Sequence, residues 1–185
     1  MLADLLTSLE LLRMPAGCEV AFVVVNNAPD LPVSGLVRAW GDRTGHSVRS
    51  VVEAEPGIAF ARNRALREAR TLDADLILFV DDDETVDAEW LRRITDHRAA
   101  TGAQFVGGPV RCRPPATPMS WIEGMIFLGV CRGYDRRERR NARRAKAGQA
   151  GDITLITNNW LGDLRWITAQ GLEFDRSLAA TGGED

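Results

Sequence analysis

The sequence predicts an α/β fold, a mostly parallel sheet with helices on both faces. Short apolar runs of strand length, at residues 20–25 and 76–80, alternate along the chain with stretches whose apolar residues recur at helical spacing. The length of 185 residues suits one domain, and 45% hydrophobic against 26% charged residues is the balance of a globular chain, not a disordered one. No apolar run reaches the ~18 residues that a bilayer-spanning helix needs.

The elements follow in order. Leu2, Leu5, Leu6, Leu9 and Leu12 open the chain as an amphipathic helix. A β-branched run over 19–25 then stops at Asn26-Asn27-Ala28-Pro29-Asp30, where turn formers and proline end a strand. A helix is predicted from 34 to about 40, a strand near 48–54, and a helix opened by Pro56-Gly57 from 58 to about 70. Residues 75–80 read as a buried strand that ends in Asp81-Asp82-Asp83-Glu84, and 87–100 as a helix. Beyond it come a strand at 104–110 broken by Gly107-Gly108-Pro109, a short apolar helix at 121–130, a strand candidate at 153–157 and a helix at 161–169.

The net charge of −3 conceals an asymmetry. Residues 132–146 hold eight of the 23 basic side chains against only Asp135 and Glu138, which gives that stretch +6 and leaves −9 elsewhere. The domain is thus read as a single unit over 1–185 with a basic insertion at about 131–150. Such a run suits an anionic surface, while no aromatic interleaving or motif points to nucleic acid. Without a basic leader before an apolar stretch, the expected location is cytoplasmic, peripheral at the inner face of the membrane through 132–146. Cys18, Cys112 and Cys131 are too far apart in sequence to suggest a disulfide framework and read as inert thiols, and His46 and His97 are isolated, so no histidine metal site is indicated.

Three consecutive aspartates at the carboxyl end of a strand repel one another and call for a cation. Clustered hard oxygens suit Mn²⁺ or Mg²⁺, which takes one or two carboxylates and completes its shell with water and substrate phosphate. In open α/β sheets ligands bind at those strand ends. Arg62 and Arg64 lie in the first turns of a helix, where they could meet a diphosphate, but their spacing lets at most one of them face the site. At the far end, Gly182-Gly183-Glu184-Asp185 sets two carboxylates behind glycines, where one could act as a general base.

Taken in order, the strand Val23-Val24-Val25-Asn26-Asn27, Glu55-Pro56-Gly57 leading to Ala61-Arg62-Asn63-Arg64, Val80-Asp81-Asp82-Asp83-Glu84, Glu89-Trp90-Leu91, Gly107-Gly108-Pro109, Thr157-Asn158-Asn159 and Gly182-Gly183-Glu184-Asp185 resemble a family 2 glycosyltransferase with the GT-A fold, similar to bacterial exopolysaccharide (succinoglycan-type) sugar transferases. The resemblance implies inverting transfer of a sugar from a nucleotide-diphosphate donor, taken as a UDP-sugar, to a hydroxyl of a glycan or lipid-linked acceptor. It implies that Asp83, with Asp81, holds the metal as the family's D-x-D, and that Asp82 lies beside the ribose or donor sugar. Asn26 would stand where the family has a base-reading aspartate, Arg62 would touch the donor, Asn158, Asn159 and Glu184 would line the acceptor side, and Asp185 would be the base. Against the family pattern, the first strand and the segment after Asp185 are expected to be missing. Two alternatives stand beside this reading. A truncated, non-catalytic nucleotide-binding fragment is one. The other is a haloacid-dehalogenase-like phosphatase with Asp81 as nucleophile and Asp83 as acid, which needs a lysine after a later strand, whereas the chain's single lysine, Lys146, sits in the arginine run.

Overall fold

A computed structural model describes residues 1–28, 30–115 and 117–178. The elements run α1 (Leu2–Leu9), β1 (Ala21–Asn26), α2 (Ser34–Thr44), β2 (Ser47–Val52), α3 (Ile58–Thr71), β3 (Leu76–Phe79), α4 (Trp90–Thr101), β4 (Phe105–Gly107), α5 (Trp121–Lys146), β5 (Trp160–Asp163) and α6 (Leu164–Ala169). β1 and β2 pair in parallel, Ala21 opposite Ser47 through Asn26 opposite Val52. β5 lies between β3 and β4 and is antiparallel to both, with Leu161 opposite Leu78 and Val106.

The strands' period of two divides their side chains between two helical layers. On one face Leu76 and Leu78 of β3, Val106 and Leu161 pack with Ile94 of α4. The same face continues under α1, where Leu5, Leu6 and Leu9 join Trp40 of α2, Leu91, Phe22 and Val48. Trp40 is 1% exposed, and its indole Nε1 donates to Leu6 O at 2.9 Å, so α1 is part of the core. On the opposite face Ile77, Phe79 and Trp160 meet Leu66 and Ala69 of α3 and Leu164 and Ile167 of α6. Each such side chain contributes about 1.5–3 kcal/mol on burial, which makes these two interfaces the main support of the fold.

The α/β class holds with its parallel pair β1–β2, but among the described residues the strands are not mostly parallel, because both pairings of β5 are antiparallel. The expected strand at 153–157 is loop apart from its last residue, which enters a turn, and a four-residue strand, β5, occupies the start of the predicted final helix. The run Trp160-Leu161-Gly162-Asp163 is too short for periodicity to tell strand from helix. Gly162 fits there because a Cβ would come within 2.4 Å of the Trp160 ring. Asp163 then starts α6, its carboxylate accepting from Trp166 N at 2.9 Å. The short apolar helix and the basic insertion form one continuous helix, α5, opened by a capping box between Ser120 and Glu123. Cys18 is exposed, whereas Cys112 is half-buried and its thiol is pushed up to about 11 by desolvation and by the neighbouring Cys131.

Candidate functional site

The site is built on α3. Its amino end is set by Gly57, whose φ of 127° is open to glycine but strained for other residues, and whose N–H donates to Asn27 Oδ1 at 2.8 Å. Asn27 Nδ2 in turn donates to Glu53 O at 3.0 Å and Glu55 O at 2.6 Å. One asparagine after β1 thus fixes the loop between β2 and α3. Its neighbour Asn26 closes its own turn, accepting from Ala28 N at 3.0 Å and donating to Leu31 O at 2.9 Å.

One turn into α3, Arg62 and Asn63 face inward. Arg62 is 7% exposed, its guanidinium lying 5.6 Å from the Phe174 ring centroid and 3.6 Å from Asp81 Oδ1. Arg64 turns away to Glu68 at 2.8 Å and Val52 O at 3.3 Å, so one arginine of the two faces the acidic cluster. The first turns of α3 therefore touch the segments after both β1 and β3, which places Asn26 and Asp81 at one end of the fold.

After β3 the chain turns sharply, with Glu84 N donating to Asp81 O at 3.2 Å. Asp82 and Asp83 project into solvent, while Asp81 and Glu84 are half-buried. Desolvation, then the charges of Asp81 and Asp83, raise Glu84 to about 7, against a lowering hydrogen bond from the Asp81 backbone. Asn158 Nδ2 donates to Glu84 Oε1 at 2.6 Å. Asn158 Oδ1 is buried and has no hydrogen-bond partner among the described residues. Asn159 is spent inside the protein: its Oδ1 accepts from Trp90 Nε1 at 2.8 Å and its Nδ2 donates to Pro109 O at 3.0 Å. Gly108 lies against it so closely that a Cβ would come within 2.8 Å of Nδ2.

Arg62, Asp81, Glu84, Asn158 and Asn159 are thus brought to the carboxyl end of β3. Glu184 and Asp185, with the glycines before them, lie outside the described residues. Among the described residues no three His, Cys, Asp or Glu side chains converge as a ready-made metal cage. Asp81 and the exposed Asp83 nonetheless supply hard carboxylate oxygens, which suit a cation that keeps most of its shell for water and phosphate, so the donor set fits Mn²⁺ or Mg²⁺. Sequence reasoning did not assign Asn27, Asn63, Glu84 or Trp90 to the site. All four stand in runs that carry the family resemblance, but nothing local gives them a role, and nothing local separates Asn27 from Asn26.

Residues 2–164 match the profile of Glycosyl transferase family 2. The chain is also 27% identical over 184 residues to the succinoglycan biosynthesis protein ExoM of Rhizobium meliloti (strain 1021), covering 100% of this chain and 54% of that protein. The chain therefore spans about half the length of the curated relative it matches. No solved structure matches it significantly. With the profile covering most of the chain, including both the Arg62 helix and the aspartate turn, the chain belongs to glycosyl transferase family 2.

Proposed function

We propose that this chain carries the donor site of an inverting, metal-dependent glycosyltransferase, which moves a sugar from a nucleotide-diphosphate donor to a hydroxyl of a glycan or lipid-linked acceptor in polysaccharide biosynthesis. The observation that carries this reading is the approach of the buried Arg62 guanidinium to Asp81, at the turn where Asp82 and Asp83 stand in solvent. The similarity to a succinoglycan biosynthesis protein supports the polysaccharide setting.

In this reading Arg62 is held in place by Phe174 and Asp81 and offers its remaining N–H groups to the donor diphosphate. Guanidinium suits that role because it stays charged and presents several donors in a fixed plane. Asp83, with Asp81, would hold Mn²⁺ or Mg²⁺, which when bound neutralises charge on the leaving diphosphate. Asp82 faces the ribose or donor sugar. Asn26 stands at the nucleobase end, where its clasp on Ala28 and Leu31 shapes the loop that meets a uracil. Asn158 orients Glu84 toward the acceptor side, Asn159 holds the wall behind it, and Glu184 belongs to the same side. Asp185 takes the acceptor hydroxyl's proton as that oxygen bonds to the anomeric carbon and the bond to the diphosphate breaks.

Calorimetric titration with UDP tests this. Affinity should depend on Mn²⁺ in the native chain, and Asp83→Ala should abolish that dependence. Arg62→Lys should weaken binding about tenfold, on the order of one charge-assisted hydrogen bond. UDP affinity indifferent to Mn²⁺ and to Asp83→Ala would overturn the reading, and release of phosphate from a phosphomonoester would favour the phosphatase alternative.

A further inference from the structure

α5 is an anomaly of the fold. It runs for 26 residues, about 39 Å at the usual rise, and none of its residues is buried. Its link to the neighbouring segment is polar: Asn141 exchanges hydrogen bonds with Thr154, and Arg144 donates to Asp152 O. The half-covered side chains include Phe127, Cys131, Tyr134 and Asn141, which fall on one side at helical spacing.

The opposite side carries a different pattern. At about 100° per residue, Trp121, Met125, Leu128, Arg132, Arg139 and Arg143 fall on one outward stripe, and all are exposed. The stripe is apolar over its first turns and cationic over the rest. Trp121 is 79% exposed and Met125 65%, and Ile122 and Ile126 beside them are also open. Glu123 and Glu138 lie off the stripe, and Asp135, at its edge between Arg132 and Arg139, is outnumbered by the three arginines.

We propose that the outward stripe of α5 docks the chain onto an anionic phospholipid bilayer, with the Trp121–Leu128 end in the headgroup and acyl boundary and the arginines on lipid phosphates. Both halves of the stripe find complementary surface there, apolar area in one and negative charge in the other. Nucleic acid would match the arginines but offer nothing comparable to the large aliphatic and indole surface at the start of the helix. A second copy is a poor occupant: a parallel pairing sets arginines against arginines, and an antiparallel one sets them against apolar side chains. Among the described residues no helix is long and apolar enough to cross a membrane, so the contact lies along the surface. The proposal stands independently of sugar transfer.

Flotation of the chain with vesicles tests it. Binding should occur to phosphatidylcholine vesicles containing phosphatidylglycerol, be weak on phosphatidylcholine alone and fall with added salt. Arg132→Gln with Arg139→Gln and Arg143→Gln should weaken partition on the order of 100-fold, from roughly a fivefold loss per cation at the surface. Trp121→Ser with Met125→Ser and Leu128→Ser should weaken it even at low salt, and the blue shift of tryptophan emission on vesicles should disappear in Trp121→Phe. Since these side chains are exposed, both triple variants should keep the native urea midpoint. Absence of flotation, flotation unchanged in both triple variants, stronger binding to RNA than to anionic vesicles, or self-association through α5 in place of lipid binding would each overturn the proposal.

Discussion

Asn63 and Phe174, 111 residues apart, hold each other through two hydrogen bonds of 2.8 Å: Asn63 Nδ2 donates to Phe174 O, and Phe174 N donates to Asn63 Oδ1. The side chain imitates a strand partner for a single residue. Because Asn63 is 1% exposed, the pair acts with little competition from water. It seats the Phe174 ring against Phe79 and beneath the Arg62 guanidinium, so the orientation of Arg62 depends on a segment far along the chain.

Asn63→Leu should therefore destabilise the fold by about 2–4 kcal/mol, because it leaves the half-buried N–H and C=O of Phe174 without their partner. Urea denaturation measures this. A loss under about 0.5 kcal/mol, the usual range of a surface change, would mean that the segment is not held by this pair.

The carboxylate of Asp163 caps α6 and also meets Arg98 at 2.7 Å. The Trp166 N–H, then the Arg98 guanidinium, hold its pKa below the ordinary aspartate value. For a carboxylate whose native pKa is depressed, the stabilisation is present above the unfolded value and is lost as pH falls through the native one. Asp163→Asn should thus lower stability by about 1 kcal/mol near neutrality, through the lost charge on its hydrogen bonds, and the deficit should shrink in acid as pH falls below the ordinary aspartate range. Urea midpoints near neutrality and in acid provide the check, and an equal deficit at both would remove the electrostatic part of the argument.

Asp73 follows α3 with φ of 52°, while Ala74 N donates to Ala69 O at 3.2 Å and Asp73 N to Arg70 O at 3.1 Å. This is the glycine position of a Schellman end, occupied here by an exposed aspartate whose charge also opposes the helix dipole. Asp73→Gly should stabilise the chain by about 0.5–1 kcal/mol, read as a raised urea midpoint. An unchanged or lowered midpoint would count against that account of the helix end.

How far the sequence was legible depends on the range of the signal. α3 announced itself, because Ala59, Arg62, Leu66 and Ala69 repeat at helical spacing after Pro56-Gly57. β3 did so too, since an apolar run stops abruptly at charged residues. β5 did not: its strand character comes from hydrogen bonding to β3 and β4, which no local pattern encodes. The same contrast runs through the site. The aspartate turn and Arg62 stand out as residue types in place, whereas the clasps of Asn27 on the Glu55 loop and of Asn63 on Phe174 arise from contacts between distant segments. The unity of α5 was hidden by its composition, apolar first and then basic, though its helical stripe continues across the change.

Asn159 poses the sharpest question at the site, since its position resembles an acceptor-contacting one while its side chain is fully engaged within the protein. Trp90 Nε1 supplies its Oδ1 with a donor at 2.8 Å, and Pro109 O accepts from its Nδ2 at 3.0 Å, so the amide ties the start of α4 to the loop that leads to α5. A positioning role predicts that Asn159→Leu lowers stability by about 2–4 kcal/mol, because the indole N–H and the Pro109 carbonyl lose their partner in a half-buried place. Trp90→Phe removes only the donor and should cost about 1 kcal/mol. The double variant should then cost less than the sum, with a coupling of about 0.5–3 kcal/mol, as expected for residues in direct contact. Contact with the acceptor predicts the reverse: Asn159→Leu would keep its urea midpoint and lose transfer, and Trp90→Phe would add to it without coupling. Urea denaturation of the four chains, with donor titration of each, separates the two. Additive stability losses would remove the tie between Trp90 and Asn159 from the account of how this wall of the site is held.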